Sequence, residues 1–372
     1  MKALVLAGGI PQIGLIEELK SRGIDVIFAD YYQHPPAEGH APHFCISTLD
    51  VDAVRDLAKK ECVDFIITIC TDQALLTMAT VSEELGLPCY LDSEAAMKLT
   101  NKALMKQLFC ENDIPTAKFV SCADLDFAKI KGFDFPLVVK PVDCNSSKGV
   151  RRVESVEELK VAFADAKAAS RTSLVIIEEY VHGYEISVDA IVRDGKIEIL
   201  AVSALDKLPI KGKFIIFRAK FPARMSLVLQ ATIESVVQKI ADAFNLVNSP
   251  LLIQLIVDGD CVKVVEFSAR TGGGEKLQML REYCGFDAAR AVVDLTLNMR
   301  MDFKVERPRH RFYLTEFQYQ DMNGAISSGS RTGSFTIWGD TAEELCAKYP
   351  GAGDIGFVSE HGVDGFISVG GC

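Results

Sequence analysis

Residues 251–274 read LLIQLIVDGDCVKVVEFSARTGGG. The pattern predicts two antiparallel strands that turn near Gly259, followed by a glycine run that leads into a helix. On the second strand Glu266, Ser268 and Arg270 stand at i, i+2 and i+4, so their side chains project from one face. A carboxylate, a hydroxyl and a guanidinium are therefore predicted to line one surface.

The length of the hairpin loop decides whether Gln254 joins this surface. A three-residue loop, Gly259 to Cys261, puts Gln254 directly opposite Glu266, whereas a two-residue loop puts it on the other face. A metal site made of Gln254, Glu266 and Ser268 requires the three-residue loop. Such an oxygen-rich patch suits Mg²⁺, which is usually held by one or two carboxylates plus substrate phosphates.

Arg270 would then face a transferring phosphoryl group. The glycines that follow, Gly272, Gly273 and Gly274, bring backbone N–H groups and a helix N-terminus to the same place, a natural site for an anionic substrate group. For the hairpin alone, a solvated polar strand face is the alternative interpretation, and the three glycines weigh against it.

A second group of candidates follows the apolar strand at residues 135–140. Lys140 closes that strand, and a buried ammonium is costly unless it meets an anion. The next loop could fold over phosphates with its N–H groups, hydroxyls and a lysine, although an ordinary polar loop explains it equally well. Its candidate phosphate contacts are Ser146, Ser147, Lys148 and Gly149.

A third group lies in residues 174–189, which read LVIIEEYVHGYEISVD. An apolar strand ends there and returns as a hairpin, which leaves a backbone edge that could pair with an adenine. Glu185, just past the turn, could accept hydrogen bonds from ribose hydroxyls. The plainer interpretation of Glu178 and Glu179 is the solvated end of a strand.

The whole chain predicts α/β and α+β structure in three parts. Residues 1–97 alternate buried strands with helices, which predicts a Rossmann-like parallel-sheet lobe. Residues 98–195 predict a linker helix and a small α+β lid, and residues 196–372 a C-terminal α+β lobe that carries the metal site. Within the lid, Ser155 and Glu158 predict a capping box, and Asp194-Gly195 predicts a type I′ hairpin turn.

Composition limits the partners. The net charge of −11 provides no basic stripe, so nucleic acid is not expected. No segment approaches the ~20 apolar residues of a membrane span, and the N-terminus lacks signal-peptide features, so we expect a cytoplasmic protein. The eleven cysteines contain no C-x-x-C pair and lie mostly in apolar runs, which predicts reduced and mostly buried thiols.

The segment Leu6 to Gly9, with Asp30 after the next strand, could be taken for a dinucleotide-binding fingerprint. The G-x-G-x-x-G spacing is absent, which argues against an NAD role.

In this order, the motifs resemble the ATP-grasp superfamily, from about Lys2 to Gly339. Similar domains occur in carbamoyl phosphate synthetase, biotin carboxylase and glycinamide ribonucleotide synthetase. The resemblance implies an ATP-grasp fold and assigns Lys102 and Lys140 to ATP phosphates, Glu266 to the metal and Arg270 to the phosphoryl transition state. It also implies that the 146–149 loop covers phosphates and that Glu185 binds the ribose. The implied adenine hinge is Glu178, Glu179, Tyr180 and Val181.

Two positions depart from the family pattern. Gln254 stands where many members have Glu or Asp, although carbamoyl phosphate synthetase has Gln there. Ser268 replaces the asparagine of Glu-x-Asn-x-Arg, a usual magnesium ligand. The resemblance therefore implies ATP with one Mg²⁺, or Mn²⁺ in its place, and leaves a second metal open.

The resemblance implies a ligase that phosphorylates a carboxylate and couples the acyl phosphate to an amine such as an amino acid, with release of ADP and phosphate. An ATP-grasp carboxylase or kinase, or a nucleotide-binding regulator without turnover, is the alternative. Asp72 and Arg218 are candidate substrate contacts, against a helix cap for Asp72 and a surface charge for Arg218. Relatives are commonly homodimers, which leaves dimerisation open here.

Overall fold

The computed structural model describes residues 1–145, 147–223, 225–301, 311–320 and 331–348. The N-terminal part is a parallel sheet in the order β3-β2-β1-β4, flanked by helices, as the alternating pattern predicts. Its strands are β1 (Lys2–Leu6), β2 (Asp25–Asp30), β3 (His43–Cys45) and β4 (Phe65–Ile67), and its helices are α1 (Ile10–Ser21), α2 (Val51–Lys60), α3 (Asp72–Leu85) and α4 (Ser93–Thr100). The sequence pattern had not indicated β3 or α4.

A smaller antiparallel sheet in the order β5-β8-β6-β7 follows, which we call the lid sheet. Ser155 caps its helix by accepting a hydrogen bond from the Glu158 N–H, whereas the Glu158 carboxylate accepts from the Glu154 N–H, so the capping box forms one residue out of register. The elements here are α5 (Lys102–Glu111), β5 (Phe119–Cys122), β6 (Leu137–Pro141), β7 (Arg151–Val153), α6 (Val156–Ala169) and β8 (Val175–Glu179).

The remaining strands form a seven-stranded antiparallel sheet, the large sheet, in the order β13-β12-β9-β10-β11-β14-β15. Its strands are β9 (Tyr184–Arg193), β10 (Lys196–Lys207), β11 (Ile216–Phe221), β12 (Ser249–Asp258), β13 (Cys261–Ser268), β14 (Phe312–Tyr319) and β15 (Arg331–Gly339). The accompanying helices are α7 (Leu227–Ala243), α8 (Lys276–Cys284), α9 (Ala288–Thr296) and α10 (Ala342–Lys348).

Strand β9 joins the large sheet, although the sequence grouped it with the lid. It pairs with β10 through a tight turn in which Asp194 and Gly195 have φ values of 51° and 75°, the two positive angles of a type I′ turn. On its other side it pairs with β12. The segment limits at 97 and 195 stay predictions.

Three phenylalanines join the linker helix to the large sheet. The Phe109 ring lies 6.1 Å from both the Phe244 and the Phe267 ring, and those two lie 4.6 Å apart. All three side chains are buried. They fix α5, which begins at Lys102, against the strand that carries Glu266.

Removing the Phe109 ring should destabilise the fold strongly. Phe109→Ala leaves a cavity in this cluster and should lower the free energy of unfolding by about 3–5 kcal/mol, measured by urea denaturation. Phe127→Ala, at a 45% exposed position, is the control and should change it by less than about 0.5 kcal/mol. Equal effects of the two changes would show that the aromatic cluster is not a structural joint.

The nine described cysteines are free thiols, but only Cys122 and Cys284 are buried and four are exposed, so the prediction of mostly buried thiols was wrong. Apolar neighbours in sequence do not bury a cysteine at a helix end or a strand edge. Among the described residues, no helix combines the length and apolar character needed to cross a membrane.

Candidate functional site

A deep pocket lies between the lid sheet and the large sheet. One side is apolar, with Val138, Val181 and Ile256, and the rest is rich in lysine and glutamate. The pocket brings together most of the residues that the sequence assigned to a nucleotide. Those lining it are Lys102, Lys140, Ser147, Glu178, Glu179, Tyr180, Val181, Glu185, Gln254 and Glu266.

The Glu178 carboxylate is buried between two lysines. Lys140 donates a hydrogen bond to Oε1 at 2.6 Å, and the Lys106 ammonium lies 2.8 Å from Oε2. Lys106 also donates to the Thr116 hydroxyl at 2.6 Å. Glu178 is therefore not solvated, whereas Glu179, the last residue of β8, is partly exposed beside Lys118. Two cations around the Glu178 carboxylate leave positive charge that suits a phosphate group.

The charge of Glu178 should stabilise the fold in a pH-dependent way. Burial alone would raise the pKa of this carboxyl, but Lys106 and Lys140 outweigh burial and lower the pKa from 4.5 to about 2. Because the folded-state pKa is depressed, the stabilisation is present above pH ~4.5 and is lost as the pH falls toward 2. Glu178→Gln should therefore be destabilised by about 3–5 kcal/mol at pH 7, since it leaves two buried ammonium groups unpaired.

Unfolding free energies of the wild type and Glu178→Gln, measured between pH 7 and pH 3, test this expectation. The difference between the two proteins should shrink as the pH falls below 4.5. A constant difference across that range would show that the charge of Glu178 contributes nothing. Glu157→Gln, on the surface of α6, is the control.

Glu185 is the second carboxylate of the pocket. It forms an ion pair with Lys207 and accepts a hydrogen bond from the Gln254 side-chain amide at 2.9 Å. Because the Gln254 amide nitrogen makes this contact, Glu185 does not occupy the Gln254 side-chain oxygen. The Lys207 ammonium also lies 4.8 Å from the centre of the Phe214 ring, which lines the pocket.

The hairpin of β12 and β13 turns through two residues, Gly259 and Asp260, because Asp258 pairs with Cys261. The metal-site hypothesis had required a three-residue loop, and this requirement was wrong. Gln254 nevertheless lies opposite Glu266, because the register shifts between Gln254 and Leu255 and leaves Val265 as an extra residue, a β-bulge. The bulge therefore places Gln254 on the same face as Glu266, as a three-residue loop would have done.

Lys102 approaches Glu266 from the start of α5. Its ammonium lies 3.1 Å from the Glu266 carboxylate and donates to the Cys144 carbonyl at 2.7 Å. The Asn101 side chain caps α5 by accepting from the N–H groups of Ala103 and Leu104, which fixes the position of Lys102.

Arg270 lies beyond Glu266, in the segment that follows β13, and is bound by the N-terminal lobe. Its Nε and Nη2 donate to the two Asp72 oxygens at 2.6 Å each, and its Nη1 donates to the Thr271 carbonyl at 2.8 Å. Burial alone would raise the pKa of Asp72, but Arg270 outweighs it and the pKa is lowered. Asp72 is the first residue of α3 and not its N-cap, which is Thr71.

Ser268 lies between Glu266 and Arg270 on the strand. Its hydroxyl is buried beside the Asp72 carboxylate, whose pKa it helps to lower, but it makes no hydrogen bond of good geometry among the described residues. A buried hydroxyl without a partner is a group that a bound metal, its water or a phosphate oxygen would satisfy. It therefore fits a ligand at this end of the pocket.

The glycine run leads into the N-terminus of α8. A Cβ at Gly272 would lie 2.6 Å from an Asp189 oxygen and 2.7 Å from the Lys276 side chain, so a larger residue would have to displace that ion pair. Lys276 forms an ion pair with buried Asp189 at 2.6 Å and donates to the Ser187 hydroxyl. Gly273 and Gly274 complete a backbone turn beside Arg270.

Three predicted residues lie elsewhere. Lys148 and Gly149 do not line the pocket, and Gly149 packs near Pro141 and Ala169. Arg218 and Lys220 lie on the same face of the large sheet. Lys220 is opposite Ala204, which is opposite Ile186, so this face also carries Ile186. Glu185, the neighbour of Ile186 on the same strand, therefore lies on the other face. Arg218 is paired with Asp206 and Glu316 and does not line the pocket, so its assignment to the substrate stays a prediction. Ser146 lies outside the described residues.

Sequence reasoning missed Lys106, Lys207 and Phe214. Lys106 stands four residues after Lys102 on the same helix, and this spacing indicates a shared face. The other two lie near the loop after β10, where the sequence pattern carried no signal for a pocket wall.

A family model described as an ATP-grasp domain matches residues 133–278. The match contains Lys140, Glu178, Glu266 and Arg270. This part of the chain therefore matches the ATP-grasp domain family. One solved structure with the same fold, the biotin carboxylase domain of the 2-oxoglutarate carboxylase from Hydrogenobacter thermophilus, contains MgADP.

Curated relatives include formate-dependent phosphoribosylglycinamide formyltransferases. The chain is 27% identical to the one from Methanocaldococcus jannaschii over 312 residues, 81% of this chain and 78% of that protein. It is 32% identical to the one from Corynebacterium glutamicum over 174 residues, 44% of this chain and 42% of that protein. Several of the relatives are thus matched over about half of their length.

Solved structures share the ATP-grasp fold over nearly the whole chain. N5-carboxyaminoimidazole synthase from Aspergillus clavatus, in complex with ADP and 5-aminoimidazole ribonucleotide, superimposes with a TM-score of 0.75 at 17% identity and covers 94% of this chain and 97% of its own. The L-amino acid ligase from Bacillus licheniformis gives 0.73 at 20% identity, with 95% and 97% covered.

The residues of this chain fit a magnesium nucleotide. The described residues contain no cluster of three or more His, Cys, Asp or Glu that could hold a metal by itself. Glu266, the Gln254 oxygen and the unpartnered Ser268 hydroxyl offer a partial set, and nucleotide phosphates usually complete the shell of Mg²⁺.

Proposed function

We propose that the protein is an ADP-forming ligase that activates a carboxylate as an acyl phosphate and joins it to an amine. The observation that carries this proposal is the row of Glu266, Ser268 and Arg270 at the end of the nucleotide pocket, beside the glycine turn. This arrangement supports a metal ligand at Glu266 and a phosphoryl-binding arginine at Arg270, on one strand and its continuation.

The lysines of the pocket would bind the nucleotide. Lys140 and Lys106 provide the charge near the lid, and Lys102 provides it at the start of α5. Glu185, held by Lys207 and Gln254, is placed to accept from ribose hydroxyls, and the hinge from Glu178 to Val181 borders the adenine position. Mg²⁺, when bound at Glu266, would neutralise phosphate charge.

The first step forms a bond between a carboxylate oxygen and the γ-phosphorus and breaks the bond from that phosphorus to the bridging oxygen, so that ADP leaves. Arg270 and the N–H groups of the 272–274 turn face the charge that develops on the phosphoryl oxygens. In the second step the amine nitrogen attacks the acyl carbon, phosphate leaves with its electron pair, and the amine proton passes to solvent.

Phosphate release from Mg-ATP, measured over a matrix of carboxylates and amines, tests the proposal. Formate is the first carboxylate to use, because the curated relatives are formate-dependent, and amino acids follow. We expect release that depends on one carboxylate, and a hydroxamate when hydroxylamine replaces the amine. Phosphate release that requires bicarbonate would indicate a carboxylase, and a phosphorylated product stable to hydroxylamine would indicate a kinase.

A regulator without turnover is the second candidate, and Ser268 favours it because the family's asparagine ligand is missing. Binding of Mg-ATP without phosphate release across the whole matrix would support it and contradict the ligase. In the ligase, Ser268→Asn should preserve or increase the rate.

A further inference from the structure

Asp72 and Arg270 join two lobes of the protein, 198 residues apart in sequence. Asp72 begins α3 in the N-terminal lobe, and Arg270 follows β13 of the large sheet. Two neighbours of Asp72 in the same lobe also hold this backbone: the Tyr90 hydroxyl donates to the Ala269 carbonyl at 3.1 Å, and the Cys70 thiol donates to the Gly272 carbonyl at 3.1 Å. The N-terminal lobe thus forms hydrogen bonds to the segment from Ala269 to Gly272 through three side chains.

The contacts of Arg270 leave one edge of its guanidinium open. An arginine has five N–H donors in a planar fork. Three of them are occupied, by the two Asp72 oxygens and the Thr271 carbonyl. Among the described residues, the other two donors, one on Nη1 and one on Nη2, have no acceptor. They are the second N–H of Nη2, which lies at the end of the fork away from Nε, and one N–H of Nη1, and both can donate to oxygens of a phosphoryl group.

Among the described residues, Asp72 is the carboxylate that is hydrogen-bonded to the guanidinium, whereas Glu266 acts on Arg270 only through its charge. The Thr271 carbonyl contacts a single nitrogen, and one hydrogen bond does not fix rotation about the Arg side-chain bonds. The bidentate contact fixes the plane and directs the open edge. The contact with Arg270 therefore explains why position 72 carries a carboxylate, and this explanation does not require an acceptor substrate.

We propose that Asp72 is a positioning residue that aims Arg270 at the phosphoryl group, so that the N-terminal lobe completes the phosphoryl-transfer site of the ATP-grasp domain. This inference rests on the proposed role of Arg270 and replaces the earlier assignment of Asp72 to the substrate. Asp72 acts through Arg270 and does not touch the reacting atoms.

Hydrogen exchange at the Arg270 Nε tests the contact without any enzyme assay. In protein labelled with ¹⁵N at arginine Nε, the Arg270 signal, identified by its loss in Arg270→Lys, should exchange slowly with solvent. Asp72→Asn and Asp72→Glu should each accelerate that exchange at least tenfold, while Asp165→Asn, in the exposed pair with Arg151, should not. Unchanged exchange in both Asp72 variants would overturn the proposal.

A double-mutant cycle on phosphate release tests the consequence. Asp72→Ala should lower kcat about 100-fold and leave the KM for ATP unchanged, and it should cost nothing further in an Arg270→Ala background. Guanidinium added to Arg270→Ala should restore part of the rate, and it should fail in the double variant, which lacks the carboxylate to hold it.

A further loss from Asp72→Ala in the Arg270→Ala background, with a raised KM for the amine, would show that Asp72 binds the acceptor and would overturn the positioning role. If the wild type releases no phosphate with any substrate pair, the ligase proposal fails while the exchange measurement still decides whether Asp72 holds Arg270.

Discussion

Replacing Arg270 with alanine should lower carboxylate-dependent phosphate release by about 10³-fold, because arginines at transferring phosphoryl groups commonly contribute 10³–10⁵ to the rate. The affinity for Mg-ATP should change little, since Lys102, Lys106 and Lys140 line the pocket independently of Arg270. Single-turnover kinetics with a separate nucleotide-binding titration measures both quantities. Arg270→Lys should recover only part of the rate, because a single ammonium cannot reproduce the fork.

The control is Arg281→Ala, which removes an exposed arginine that also pairs with an aspartate, Asp287, at 2.9 Å. It should keep the wild-type rate within about twofold, as expected for a surface pair. If Arg270→Ala kept the wild-type rate as well, Arg270 would have no role in phosphoryl transfer. A large loss of Mg-ATP affinity in Arg270→Ala would instead assign Arg270 to ground-state binding.

Replacing Glu266 with glutamine should have the second-largest effect. The variant keeps the size of the side chain but loses the charge that the metal requires, so kcat/KM should fall about 100-fold or more, as for loss of one strong electrostatic contact in a site. The Mg²⁺ concentration for half-maximal activity should rise with it. A Mg²⁺ titration of phosphate release at fixed ATP is the measurement.

Glu282→Gln, at a partly exposed position of α8, is the matched control and should leave the Mg²⁺ titration unchanged. If the Glu266→Gln curve coincided with that of the wild type, the metal would lie elsewhere. Equal loss of activity at every Mg²⁺ concentration would assign Glu266 to holding Lys102, its ion-pair partner, and not to the metal.

Local patterns were sufficient for most of the parallel lobe, although not for β3 and α4, and for the lid helix and the Asp194-Gly195 turn, because strand alternation, capping residues and turn residues act within a few positions. They were insufficient for the hairpin that holds Gln254. The bulge at Val265 lies beside Val264, whose N–H donates to the Pro115 carbonyl at 2.7 Å and whose carbonyl accepts from the Thr116 hydroxyl. A distant segment thus supplies the partners beside the bulge, and no pattern within residues 251–274 could reveal it.

The candidate site shows the same limit. The order of the motifs pointed to Lys140, Glu178 and Glu266, which the structure brings to one pocket. Arg218 does not reach the pocket, because it lies on the face of the large sheet opposite to Glu185, and no local pattern showed which face of β11 would meet the pocket. The sequence indicated Asp72 as a candidate but did not indicate its pairing with Arg270, because the two residues lie in different lobes and are 198 positions apart in sequence.

The transfer of ¹⁸O from a carboxylate to phosphate tests the central claim most directly. With [¹⁸O]formate, or an ¹⁸O-labelled amino acid if that is the active carboxylate, each turnover should deliver one labelled oxygen to the released phosphate, because the carboxylate oxygen that attacks the γ-phosphorus leaves with it. Mass spectrometry of the phosphate should show one ¹⁸O per molecule. Unlabelled phosphate, formed at the full rate of product formation, would contradict an acyl phosphate and the account of Glu266 and Arg270 built on it.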